Sequence, residues 1–201
     1  MMTNLSMSLV NMLYNFQLMK FAGADGVAAY GIIMYVSFIF VGTYLGYSIG
    51  EAPIVSFHYG AGNHDELKNL FKKSLVIMVI ASVVLTGVAE LTAGILASVF
   101  VSYDAELLAM TTVAIRLYSL SYIFNGVNIF ASAFFTALND GLVSAAISFL
   151  RTLLFQVVMI LLLPMLFGLE GIWLSIVVAE LLALGVSLFC FVKFRKKYHY
   201  T

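Results

Sequence analysis

The sequence is poor in charge, in cysteine and in any catalytic signature. Only 10% of its 201 residues are Asp, Glu, Lys or Arg, against about 25% in soluble domains. That is too little polar surface to cover a water-soluble globule. The formal net charge is zero and no basic patch interleaves with aromatics, which excludes nucleic acid as a partner. Cys190 is the sole cysteine, so no intrachain disulfide can form and no Cys/His metal cluster exists. There is no Walker A sequence and no H-E-x-x-H, so neither ATP hydrolysis nor zinc hydrolase chemistry is expected. Gly46-Tyr47-Ser48-Ile49-Gly50 matches G-x-S-x-G, but that motif requires a strand-to-helix elbow and a catalytic His. We therefore expect no enzyme and no cofactor. The N-terminus has neither a basic n-region nor a small-x-small cleavage pattern, and reads as a helix that itself inserts.

What the chain has is apolar length. Hydrophobic residues make up 63%, and mean hydropathy is +1.05. Disorder is excluded by that composition. Apolar stretches run at about residues 1–20, 27–59, 72–100, 105–136, 142–166 and 171–193. Gly, Asp and Asn punctuate them. They are too long and too continuously apolar for the roughly ten-residue alternating strands of a membrane barrel. The expectation is a single all-α membrane domain over residues 1–201, a bundle of six transmembrane helices in the lipid bilayer.

Basic residues orient it. Lys68, Lys72, Lys73, Lys193, Arg195, Lys196 and Lys197 fall on one side, and only Lys20 on the other. The positive-inside rule then puts both termini in the cytoplasm of a multi-pass plasma-membrane protein. Trp173, Tyr198 and Tyr200 are expected in the aromatic belts.

Several polar features stand out within the apolar runs. Asn4, Ser8, Asn11 and Asn15 share one face of the first span, and either line a wet cavity or bond to neighbouring helices. Asn125 and Asn128, with Tyr118 and Tyr122 beside them, are placed to meet that face across a shared cavity. Gly42, Gly46 and Gly50 repeat every fourth residue and would admit a close helix neighbour. Pro53 removes a backbone donor, so a kink or hinge is expected near Gly50. At 1.5 Å per residue, Arg116, Arg151, Glu51 and Glu180 fall about 14–15 Å from the nearest loop, near the midplane. Charges at that depth are expected to pair. Arg116 and Arg151 are the candidate structural partners, and Glu51 or Glu180 the candidate carrier of a proton or sodium ion. An acid beside an arginine is a poor proton carrier, so Glu51 is preferred if Glu180 takes the arginine. His58 and His64 flank the inner end of the second span, without metal-site spacing.

Two segments resemble a known family. One is Ala52-Pro53-Ile54-Val55-Ser56-Phe57-His58-Tyr59-Gly60-Ala61-Gly62-Asn63, followed by Glu66-Leu67-Lys68. The other is Ala131-Ser132-Ala133-Phe134-Phe135-Thr136-Ala137-Leu138-Asn139-Asp140-Gly141, continuing through Ser144, Ser148, Arg151, Pro164, Gly168, Gly171-Ile172-Trp173, Ala179 and Glu180. Together they are similar to the C-terminal lobe of the multidrug and toxic compound extrusion (MATE) family. The resemblance implies half of a two-lobed antiporter that exports organic cations or drugs by alternating access, driven by proton or sodium influx. It also implies a truncated chain whose partner is a missing N-terminal lobe or a second copy. Sodium-coupled members place acids on helices seven and ten, whereas spans 1 and 4 here carry none at membrane depth. The resemblance leaves two alternatives: a lipid-linked glycan flippase half of the same superfamily, or a remnant or assembly subunit that transports nothing alone.

Overall fold

The computed structural model describes the backbone from Met2 and the side chains from Ser6 onward. Among the described residues there is no strand. The elements are α1 (Met2–Gly60), α2 (His64–Val101), α3 (Ala105–Ser119), α4 (Tyr122–Ala137), α5 (Gly141–Phe149), a π-helical segment (Leu150–Phe155) and α6 (Gln156–Tyr198). The polar breaks read from the sequence cap several of them. Asn63 accepts from Glu66 N at 3.2 Å, Asp104 from Glu106 N and Leu107 N, and Asp140 from Val143 N. Each satisfies a backbone donor left over at a helix start.

The six apolar stretches are not six separate helices. Three helices are long and apolar enough to cross a membrane: Ser6–Gly60, His64–Val101 and Gly141–Tyr198. A fourth is Ala105–Ser119 with Tyr122–Ala137, if that pair, bent by 46°, is one span. The first two stretches merge in α1, and the last two in the run ending with α6. Two glycines explain this. Gly23 has φ 61° and ψ −146°, and Gly168 has φ 60° and ψ −135°, conformations that a Cβ would strain.

Both merged helices double back there. Tyr14 and Tyr30 stack at 5.0 Å, and Tyr30 OH donates to Asn11 Oδ1 at 2.8 Å. On a straight helix residues 11 and 30 would be about 28 Å apart. Likewise Ser175 Oγ donates to Met159 O across the Gly168 break at 3.1 Å. Each is a helical hairpin.

α4 lies at the centre and packs against α1, α2, α5 and α6. One core gathers around Tyr14, Tyr30, Ala93, Ile115 and Trp173, and another around Phe71, Phe134, Phe135 and Phe191. The outer surface is apolar, with Phe38, Leu91 and Leu142 more than 80% exposed.

The φ/ψ values stay helical through Gly50 and Pro53, and the non-helical break in α1 is at Gly23, where the dihedral change is free of Cβ strain. Two expectations are corrected here. Gly42, Gly46 and Gly50 face open space, with nothing within 4 Å of a Cβ built on any of them. Trp173, Tyr198 and Tyr200 are buried rather than set in an exposed belt. Left-handed His199 turns the tail inward, and Tyr200 OH donates to Phe191 O at 2.8 Å.

Candidate functional site

A cavity of about 450 Å³ opens between the two legs of α1, α3, α4, the π segment and α6. That volume is typical of small-molecule sites. Its wall is largely apolar and aromatic, from Tyr14, Tyr30, Met34 and Tyr118, with Asn11, Asn125, Arg151 and Glu180 as polar groups.

Arg151 and Glu180 anchor it. Arg151 Nε donates to Glu180 Oε1 at 2.8 Å and to Oε2 at 2.9 Å, and its Nη2 donates to Asn125 Oδ1 at 2.7 Å. Asn128 Nδ2 donates to Glu180 Oε2 at 2.8 Å and to Glu180 O at 2.9 Å. Ser187 Oγ donates to Asn128 Oδ1 at 2.9 Å. Glu180 is only 1% exposed, so an unpaired charge there would be very costly. The network satisfies it completely. Arg151 stands on the π segment, whose wider turn sets its direction apart from that of a continuous α-helix.

The other predicted residues divide. Asn11 and Asn125 line this cavity. Asn15 does not, because its amide bonds back to Asn11 O in its own helix. Asn128 is fully buried in the Glu180 network, behind the cavity wall. Tyr122 is sealed away by a 2.7 Å hydrogen bond with Ser37 and by stacking on Phe40. The side chain of Asn4 lies outside the described residues. Arg116 is exposed and makes no ion pair among the described residues. Ala114 and Ile115 take the buried face of α3 and leave Arg116 pointing outward. Glu90 accepts a hydrogen bond from Ser119 at 2.9 Å.

Glu51 is 7% exposed, away from any arginine, and bonded to Ser74. Tyr47 OH donates to the same Ser74 Oγ at 3.0 Å. Oε2 of Glu51 has no partner.

Sequence reasoning did not single out a hydroxyl network between α4 and α5. Ser132, Thr136, Ser144 and Ser148 interlink at 2.7–3.0 Å. The signal was present, since Ser132/Thr136 and Ser144/Ser148 are each spaced i, i+4 on either side of the Asn139 turn. A second cavity of about 550 Å³ lies against this network.

The MatE family model matches residues 1–162. No curated protein matches the sequence significantly. Solved structures match closely in shape. A multidrug resistance MATE family transporter of the MOP superfamily, in an outward-facing conformation, aligns with TM-score 0.90 and 21% identity, over 100% of this chain and 45% of its own. The MATE transporter VcmN of Vibrio cholerae in its bent form gives 0.89 and 19%, over 100% and 46%. A MOP superfamily transporter from Pyrococcus furiosus, described as having a binding pocket of reversed polarity, gives 0.88 and 21%, over 100% and 45%. At these identities the likeness shows the fold. The chain spans less than half the length of each.

Proposed function

The chain belongs to the MatE family of transporters, and we propose that it forms the C-terminal lobe of a cation-coupled exporter of small organic molecules. The observation that carries this reading is the aromatic-walled cavity closed by the Arg151–Glu180–Asn125 network. Multi-pass membrane insertion follows from the family and the long apolar helices. α1, at 59 residues, would be about 88 Å long if straight, nearly three times the hydrocarbon thickness. Read as hairpins, the merged helices supply two crossings each. With α2 and the bent α3–α4 pair this makes six crossings, both termini on the cytoplasmic side of the plasma membrane.

Alternating access needs a second wall for the cleft. A missing N-terminal lobe or a second copy would provide it, in keeping with the 45% coverage of the solved relatives. Glu180 is the structural anchor, because both its oxygens are engaged by Arg151 and Asn128. Glu51 is the coupling acid for a proton or a sodium ion, and loss of efflux on adding an uncoupler selects the proton. Arg151, the cavity's arginine among the described residues, is neutralised by Glu180, which favours an exporter over a glycan flippase needing several unpaired arginines.

The test is efflux of a fluorescent organic cation from pump-deficient cells. Expression with an N-terminal lobe from the same family should restore efflux that an uncoupler abolishes, and Glu51→Gln should reduce it far more than Glu90→Gln. Equal activity of the two variants would remove Glu51 from coupling. No efflux with any partner lobe would leave a non-transporting subunit.

A further inference from the structure

Two cavities meet along one ridge. Ser148 and Thr152 line both the cavity of about 450 Å³ and that of about 550 Å³ beside the α4–α5 hydroxyl network. The walls differ in chemistry. Arg151, Glu180 and two asparagines face the first. No charged side chain and no amide lines the second among the described residues. Its polar side chains are all hydroxyls: Thr136, Ser144, Ser148 and Thr152 from α4, α5 and the π segment, and Ser6 from α1.

Each hydroxyl carries one hydrogen, and that count fixes the direction of the network. Thr136 Oγ1 donates to Ser132 O at 3.0 Å. Its 2.7 Å contact with Ser144 Oγ is therefore donated by Ser144. Ser132 Oγ lies 3.0 Å from Ser144 Oγ and 3.4 Å from Ser144 O. With the Ser144 hydrogen committed, Ser132 donates towards Ser144. The remaining 2.7 Å contact, between Ser148 and Ser132, is then donated by Ser148. Thr152 Oγ1 donates to Ser148 O at 2.8 Å. No hydrogen is left over on Thr136, Ser144, Ser148 or Thr152, yet each oxygen keeps at least one lone pair. These four side chains accept hydrogen bonds from a guest and donate none.

A wall of this kind matches a group that brings hydrogens and asks for none in return. A primary ammonium has three N–H donors and no acceptor, and its charge strengthens each bond. An anion would meet only lone pairs. A quaternary ammonium has no N–H and gains nothing from the hydroxyls. At about 550 Å³ the cavity far exceeds the roughly 30 Å³ share of one water, so it fits an organic molecule better than a bare ion. We propose that this cavity is a second solute subsite, selective for a primary ammonium group, with Ala145 and Phe149 against the hydrocarbon part of the solute. The proposal rests on the exporter reading in one respect: the Ser148–Thr152 ridge joins the subsite to the Arg151–Glu180 cavity, so one solute can pass between them.

The test measures binding and does not depend on transport. The full chain in lipid nanodiscs is titrated calorimetrically with phenethylammonium and with its N-trimethyl analogue, and empty nanodiscs are subtracted. The analogue keeps the ring and the charge but has no N–H. The primary ammonium should bind about tenfold tighter, the worth of one charge-assisted hydrogen bond. Thr136→Val with Ser144→Ala removes two acceptors that line this cavity and not the other, and should bring the two affinities together. Ala145→Phe fills the cavity, leaves every hydroxyl in place and should do the same. Thr136→Ser keeps the acceptor and should keep the preference, which separates lost chemistry from a lost fold. Equal affinities in the unaltered chain, or a preference that survives both the double variant and Ala145→Phe, overturn the subsite. An intact preference without efflux under any partner lobe would instead overturn the exporter reading and leave the subsite standing.

Discussion

The ion pair on the cavity wall concentrates most of the energetic risk in two residues. Glu180 is buried at 1% exposure and its carboxylate accepts three hydrogen bonds, two from Arg151 Nε on the π segment and one from Asn128 Nδ2 on α4. Arg151→Ala would leave that carboxylate without a cation, at a cost of about 3–5 kcal/mol. Arg116→Ala removes only an exposed side chain and should stay within about 0.5 kcal/mol. Denaturant titration of the two variants in the same detergent checks the contrast. The sequence placed four charges at one depth and expected them to balance, and depth was the part that could be read. Which arginine serves Glu180 depends on helix rotation. Two buried neighbours, Ala114 and Ile115, turn Arg116 outward, and a π segment aims Arg151 inward. Neither follows from residue spacing on an ideal helix. Asn128 and Tyr122 escaped the same reasoning, because membership of a polar stripe does not say whether its partner is a cavity or another side chain.

At the scale of the element, helix starts were legible and helix breaks were less so. Asn63, Asp104 and Asp140 are capping residues at the predicted turns. The reversals at Gly23 and Gly168 keep the chain helical on both sides, so breaks expected as loops are single residues with positive φ. The glycine ladder misled for a related reason. Spacing shows that a helix could approach, not that one does, and a glycine that is tight between helices lies elsewhere, at Gly126. A Cβ there would lie 2.5 Å from Ser82 Oγ and 3.1 Å from Tyr44 Cε1, between α2 and α1. Gly126→Ala should destabilise by about 1–3 kcal/mol through overpacking. Gly46→Ala, with open space around it, should not destabilise, and thermal melts of both report the difference.

The α4–α5 turn carries a pH-dependent contact of its own. Asp140 accepts from Tyr198 and from Lys197 Nζ at 3.2 Å, and caps α5. The Tyr198 hydrogen bond, ahead of the Val143 amide and Lys197, holds the Asp140 carboxyl below its usual range. A carboxylate with a depressed folded value stabilises docking above its unfolded value of about 3.9. That contribution is lost as pH falls through the lower folded value. Tail docking should therefore weaken only below about pH 4, the unfolded aspartate value. Asp140→Asn should remove the dependence, as read by hydrogen exchange across residues 194–200.

As a whole molecule, the chain is an all-helical membrane protein of the MatE family that spans about 45% of the solved transporter it aligns with. Its outer apolar surface and its composition agree, since 10% charged residues cannot clothe such a fold in water. Family and shape were legible because the two matching segments lie at turns, where glycine, proline and capping residues leave local signatures. Cavity membership was not, because it is set by how the helices meet. The central claim is that this cavity is a water-filled solute path inside a membrane protein. Its most direct test is thiol accessibility in Cys190→Ser background, in intact membranes, using a hydrophilic maleimide that reacts only with hydrated thiolates. Asn11→Cys should label rapidly and be protected by a bound organic cation, while lipid-facing Leu91→Cys stays unlabelled. An unreactive Asn11→Cys, or equal labelling at both positions, would contradict the account.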